Sequence, residues 1–135
     1  QYIYVGNIGF LSNGNLNGGG SYGSAWSDGD IIGVAVNSSG IWFSINGTYQ
    51  NSGNPATGSN SAGTPSLPGL ILTGDGSATT NSSLTGVLNF GQDGTFAGSK
   101  TAQGNKDGSG IGNFYYSVPT GFKALCTTNL FSVGG

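Results

Sequence analysis

Asp28 and Asp30, separated by Gly29, are the closest pair of carboxylates in this sequence. Paired carboxylates cleave glycosidic bonds when they stand about 5–9.5 Å apart, one giving a proton while the other acts as nucleophile or base. The chain has no Glu, so only Asp28, Asp30, Asp75, Asp93 and Asp107 are available for such work. Asp28-Gly29-Asp30 is a turn entering a β-branched run, where Asp typically accepts bonds from nearby backbone amides; a structural pair is expected. There is no His, so no Ser-His or Cys-His nucleophile can be assembled. Cys126, flanked by Ala124 and Leu125, lacks a base and reads as a small buried hydrophobe. Calcium takes about six to eight oxygen ligands, and no stretch concentrates acids. Gly108-Ser109-Gly110-Ile111-Gly112 has the glycines of a phosphate loop without the helix that must follow them. No catalytic residue, cofactor or metal is expected.

Charge narrows the partners further. Only 6% of the 135 residues are charged and the net charge is −2. A nucleic-acid surface needs a basic stripe, which Lys100, Lys106 and Lys123 do not make. No apolar run approaches the ~18 residues of a membrane span, so membrane insertion is not expected. Solubility rests on uncharged amides and hydroxyls, a composition suited to a protein embedded in a large assembly. The chain opens Gln-Tyr-Ile-Tyr without an initiating Met and reads as an excerpt of something longer.

The chemistry left is that of aromatic rings and amides. Trp26, Trp42, Tyr49, Tyr115 and Tyr116 lie in or near turns and strand ends. Such rings, with Asn and Ser neighbours, either stack on sugar rings or bury a partner surface; alternatively they fill the edge of a core with their polar ends wet.

The elements that must position these rings are short. With 28 Gly and 15 aromatic residues (7 Phe, 6 Tyr, 2 Trp), the chain reads as a Gly-rich β-protein with long polar loops and one domain over residues 1–135. Tyr2–Val5 is a strand that Ile8-Gly9-Phe10 extends, and Leu11 to Ser24 is a loop. Asp30–Val36 and Ile41–Ile45, joined by the four turn formers Asn37-Ser38-Ser39-Gly40, form a β-hairpin. Period-two spacing puts Ile32, Val34 and Val36 on one face, opposite Ile41, Phe43 and Ile45, and sends Trp42 to the other side, exposed or capping an edge. Asn46-Gly47 closes the strand in a tight turn before an extended Thr48-Tyr49. Residues 51 to 66 are a long loop, and further strands are expected at Leu70–Leu72, Val87–Phe90, Phe114–Tyr116 and Phe122–Thr128. No helical periodicity persists for ten residues. Several short strands joined by Gly, Pro and Asn turns predict an all-β sandwich or barrel.

Gly29-Asp30-Ile31-Ile32-Gly33-Val34-Ala35 followed by Ile41-Trp42-Phe43-Ser44-Ile45-Asn46-Gly47 resembles the central signature of SPRY domains. Val87-Leu88-Asn89-Phe90-Gly91-Gln92 is similar to that family's late strand. The ending, Pro119-Thr120-Gly121-Phe122-Lys123-Ala124-Leu125-Cys126-Thr127-Thr128-Asn129-Leu130, resembles the close of SPRY-like modules in structural proteins of tailed bacteriophages. The opening departs from the family, whose usual first strand is absent, replaced by Tyr2–Val5 or donated by a neighbour. The resemblance implies an antiparallel two-sheet sandwich, a concanavalin-like jelly roll, and a non-enzymatic virion module, on a tail fibre or capsid, that packs against other virion proteins or copies of itself. It also implies a ligand surface on the loops at one end, here Leu16–Trp26 and Asn51–Ser66. Host surface glycan is the alternative partner, and Tyr22, Trp26, Trp42, Tyr49, Asn51 and Asn54 are the candidate binding residues.

Overall fold

A computed structural model describes residues 2–5, 10–12, 15–16, 22–65, 71–74 and 86–130. By contacts the chain divides into two compact units, Gln1–Thr85 and Gly86–Gly135. Several expectations fall on residues outside the described ones: the Gly6-Asn7 break, Ile8-Gly9, the Gly18–Gly20 run, Leu70 and the polar loop after Gly74.

The first unit is antiparallel β-structure in two sheets. One has the order β3-β2-β1-β7, from β1 (Tyr2–Val5), β2 (Phe10–Ser12), β3 (Asn15–Leu16) and β7 (Ile71–Gly74). Phe10 does not extend the first strand as expected: β2 runs back along β1, pairing Tyr4 with Phe10 and Tyr2 with Ser12. The expected loop after Leu11 therefore contains two short strands. Asn13-Gly14, which lies between them in sequence, is the dipeptide that two-residue hairpins favour. On the far side of β1, Tyr2 pairs with Gly74 and Val5 with Ile71.

The second sheet has the order β4-β5-β6, from β4 (Ile32–Asn37), β5 (Gly40–Ile45) and β6 (Thr48–Tyr49). Here the β-branched runs pair as their spacing predicts, Ile32 with Ile45, Val34 with Phe43 and Val36 with Ile41. Asn37 and Gly40 also pair, which shortens the expected four-residue connection to Ser38-Ser39. The Asn37 Oδ1 accepts the backbone N–H of Ser39 (2.8 Å) and of Gly40 (3.1 Å), an Asx turn that mimics a backbone turn. At the other end Asn46 and Gly47 take φ of 49° and 81°, the positive pair that a type I′ turn requires and that Asn-Gly supplies at least strain.

Strand β5 is buried on both faces, which decides where the core sits. On one face Ile41 (0% exposed) and Phe43 (2%) join Tyr22 (3%), with Trp26, Val36 and Ala62 packed around them. The rings of Tyr22 and Phe43 meet edge to face, 6.1 Å apart at 84°, the arrangement the ring quadrupoles favour. On the other face Trp42 is wholly buried, with Ala35 and Ser44. The residues expected as a long open loop cover it. Gly63 bridges to Ile41, whose N–H donates to the Gly63 carbonyl (3.0 Å) and whose carbonyl accepts from Ala62 (2.7 Å).

The second unit contains no regular strand among its described residues. The strands expected at Val87–Phe90, Phe114–Tyr116 and Phe122–Thr128 are not formed, beyond one antiparallel bridge of Asn105 to Phe114. Side-chain amides take the backbone groups a ladder would use, a competition open to any Asn or Asp beside its own backbone. Gln92 donates to the Leu88 carbonyl (2.6 Å) and accepts from Phe90 N–H (2.6 Å), while Asn89 Oδ1 accepts from Gly91 (2.8 Å) and Asp93 (3.1 Å). Near the end of the unit Thr127–Leu130 forms a single helical turn, α1, where an extended strand was expected. Among the described residues, then, the chain is strand-rich and antiparallel, with almost no helix.

Candidate functional site

The six candidate binding residues all lie in the first unit, and the structure separates them by exposure. Trp42 is the correction of most consequence. It does project away from Ile41 and Phe43, but into a second buried layer, not into solvent. Its Nε1 donates to the Ser59 carbonyl (2.8 Å), so the indole is satisfied by the folded-back segment that covers it. A Cβ on Gly40 would stand 2.7 Å from Trp42 Cη2, and one on Gly53 would stand 3.0 Å from Trp42 Cδ1. The ring is enclosed by close backbone and is not a platform for a ligand. Tyr22 is likewise a core residue, its hydroxyl donating to the Asn60 carbonyl (3.4 Å).

Trp26 is half-buried against the same cluster. Tyr49 is half-buried at the end of β6, and burial pushes its phenol up to about 12. Only Asn51 and Asn54 are exposed. Asn51 lies in a single turn, Gln50–Ser52, with a left-handed backbone (φ 54°), a conformation that Asn tolerates better than most residues. The Asn54 Oδ1 accepts from the N–H of Ala56 (3.1 Å) and Thr57 (3.3 Å), so its amide is engaged in its own turn. Of the two segments expected to carry a ligand, 17–21 and Ser66 lie outside the described residues.

Asp30 is placed as turn chemistry predicts, and Asp28 is exposed in the turn before it. Asp30 Oδ2 accepts the Ser27 N–H (2.7 Å) and Oδ1 accepts Asn46 Nδ2 (2.7 Å). Asn46 in turn holds the Ile31 N–H through its Oδ1 (3.0 Å). The carboxylate therefore ties the entry of β4 to the I′ turn at the end of β5. Among the described residues no three His, Cys, Asp or Glu side chains gather to hold a metal.

In the second unit, reasoning from sequence missed two aspartates that organise the fold. Asp107 is 6% exposed. Its Oδ1 accepts from Ser109 (2.8 Å) and Ile111 (3.0 Å), and its Oδ2 accepts from the Ala124 N–H (2.9 Å) and Asn129 Nδ2 (2.9 Å). Bonds from Ala124 and Ile111 above all hold this carboxyl well below the usual carboxylate range, since four donors favour the charged form. Asn129 also donates to the Ala124 carbonyl (2.7 Å). The glycine-rich turn after Lys106 and the Ala124–Asn129 segment thus close on one carboxylate.

Asp93 does the same on a smaller scale. It accepts from Thr95 Oγ1 (2.6 Å), Thr95 N–H (2.8 Å) and Ala97 N–H (2.9 Å), and these bonds, that of the Thr95 hydroxyl first, lower its pKa. They hold Phe96 and Ala97 in left-handed backbone (φ 51° and 55°). The signal available in sequence was the Asp-Gly pairing of Asp93-Gly94 and Asp107-Gly108, a turn signature. Nothing local says that such a carboxylate will reach seventeen residues further to Ala124.

No helix among the described residues is long and apolar enough to cross a membrane. No protein-family model matches the chain, and the searches of curated proteins and of solved structures found no significant match.

Proposed function

We propose that this chain is a non-enzymatic SPRY-like β-sandwich module of a tailed-phage virion, carried on a tail fibre or a capsid-associated protein. It acts by packing against other virion proteins or copies of itself and by displaying a surface. The observation that carries the reading is the hairpin signature. Its residues Ile32–Val36 and Ile41–Ile45 pair antiparallel as a hairpin, and Asn46-Gly47 makes the tight turn that follows, between β5 and β6. The late NFG and GFKALCT segments follow in the same order in the sequence. A packing role is also supported by exposed apolar side chains in the second unit, Val87 (46%), Leu88 (51%), Phe90 (42%), Leu125 (59%) and Leu130 (65%). Val87, Leu88 and Phe90 fall within four successive residues, and apolar surface that is contiguous is what a partner buries.

Imaging of the native particle at side-chain resolution tests this. Copies of the chain in a virion, burying these residues against neighbours, are the expected result. Absence of the chain from any particle overturns the reading. A second reading, recognition of host glycan through Trp26, Tyr49, Asn51 and Asn54, is favoured by the partial or full exposure of those four. A domain projecting freely from the particle, with these side chains outward, moves that reading to first place.

A further inference from the structure

The second unit carries an aromatic group that the sequence resemblance does not use. Tyr115 and Tyr116 lie edge to face with ring centroids 5.0 Å apart at 71°, and Phe96 stands 6.3 Å from Tyr115, tilted by 54°. All three are partly exposed. Among the described residues neither tyrosine hydroxyl has a hydrogen-bond partner. The group is held from both sides. Asn105 Nδ2 donates to the Tyr115 carbonyl (2.8 Å), and the Asn105–Phe114 bridge fixes the backbone leading into the pair. On the other side Asp93 keeps Phe96 in a left-handed backbone that a bulky side chain rarely adopts. Strain of this kind persists only where surrounding bonds impose it.

We infer that Phe96, Tyr115 and Tyr116 form a stacking surface for the pyranose ring of a neutral glycan. A sugar ring has an apolar C–H face and a rim of hydroxyls. Set at 71° to one another, the two tyrosine rings offer one face for stacking with a ring edge beside it, and the phenol hydroxyls, without a partner among the described residues, supply donors and acceptors for the rim. With three lysines in the whole chain, nothing here is built to hold a strongly anionic ligand. The ligand class is that of the second reading above, but the residues are different and lie in the other unit. The inference does not depend on the virion reading.

The full chain titrated with maltohexaose, cellohexaose and chitohexaose at millimolar concentration, followed by NMR of the aromatic ring protons, tests it. At least one of these sugars is expected to shift the Tyr115 and Tyr116 signals. Tyr115→Ala and Tyr116→Ala should each weaken that binding by about tenfold, the scale of one aromatic contact, whereas Lys123→Ala, at an exposed position of the same unit, should leave it unchanged. If an alanine variant fails to fold, Tyr115→Phe and Tyr116→Phe, which keep the rings, should still weaken binding by removing the hydroxyls. No shift with any of the three sugars overturns the proposal. So does binding that survives these variants in folded protein. Loss on Trp26→Ala instead overturns it in favour of a site in the first unit.

Discussion

At the scale of single residues, Trp42 shows how far a side chain's role depends on what folds over it. Alternation along β5 sends its ring away from Ile41 and Phe43, and in a strand with one wet face that would expose it. Here the ring is wholly buried and donates to Ser59. Trp42→Ala should therefore destabilise the protein by about 3–5 kcal/mol, as much as Phe43→Ala, because both leave large cavities in packed surroundings. Denaturant unfolding monitored by circular dichroism checks this. Near-wild-type stability for Trp42→Ala would mean that the segment after Asn51 does not enclose the ring in solution.

Among the elements, the three-stranded sheet owes its register to its two turns, and the turns differ in kind. The Asn37 turn is held by a side chain, whereas Asn46-Gly47 works through backbone conformation. Gly47 sits at φ 81°, where any L residue with a Cβ is strained. Gly47→Ala should cost about 1 kcal/mol and Asn46→Ala somewhat more, since Asn46 also holds Ile31 and Asp30. Thermal melts of the two variants check the order. The reverse order would show that the I′ geometry, and not the Asn46 amide, dominates at this corner. Among the described residues of the second unit no regular strand forms, so the same logic passes to Asn89, Asp93, Asp107 and Asn129, whose side chains take up backbone groups a ladder would use.

For the whole molecule, that dependence on carboxylates predicts a response to acid. Asp107 has a lowered pKa in the folded chain, so the folded state binds fewer protons than the unfolded one in acid. Its stabilisation is complete above the ordinary carboxylate value of 3.8 and is withdrawn as pH falls from there towards the lower folded value. Asp93 adds to the loss in the same direction. Hydrogen exchange followed down the acid range should show the Ser109, Ile111 and Ala124 amides, all donated to Asp107, losing protection below that value while the β5 amides keep theirs. Equal loss in both units would point to a global response, with no special part for Asp107.

By itself the sequence determined what is local. Alternation and turn chemistry located the β4–β5 hairpin, the faces of its strands, the extended Thr48-Tyr49 and the Asn46-Gly47 turn, because each depends on neighbours within a few positions. Composition alone removed His- and Glu-based chemistry. Only the tertiary structure decided which face of a ring meets water. Tyr22 and Trp42 read as candidates for a binding surface and proved to be core, since burial depends on a segment that folds back from 17 residues beyond Trp42 and 38 beyond Tyr22. The late strands were misread for the opposite reason. Val87–Phe90 has the composition of a strand, but a strand exists only if a partner ladder competes successfully with the amides beside it, and here Asn89 and Gln92 take those backbone bonds first.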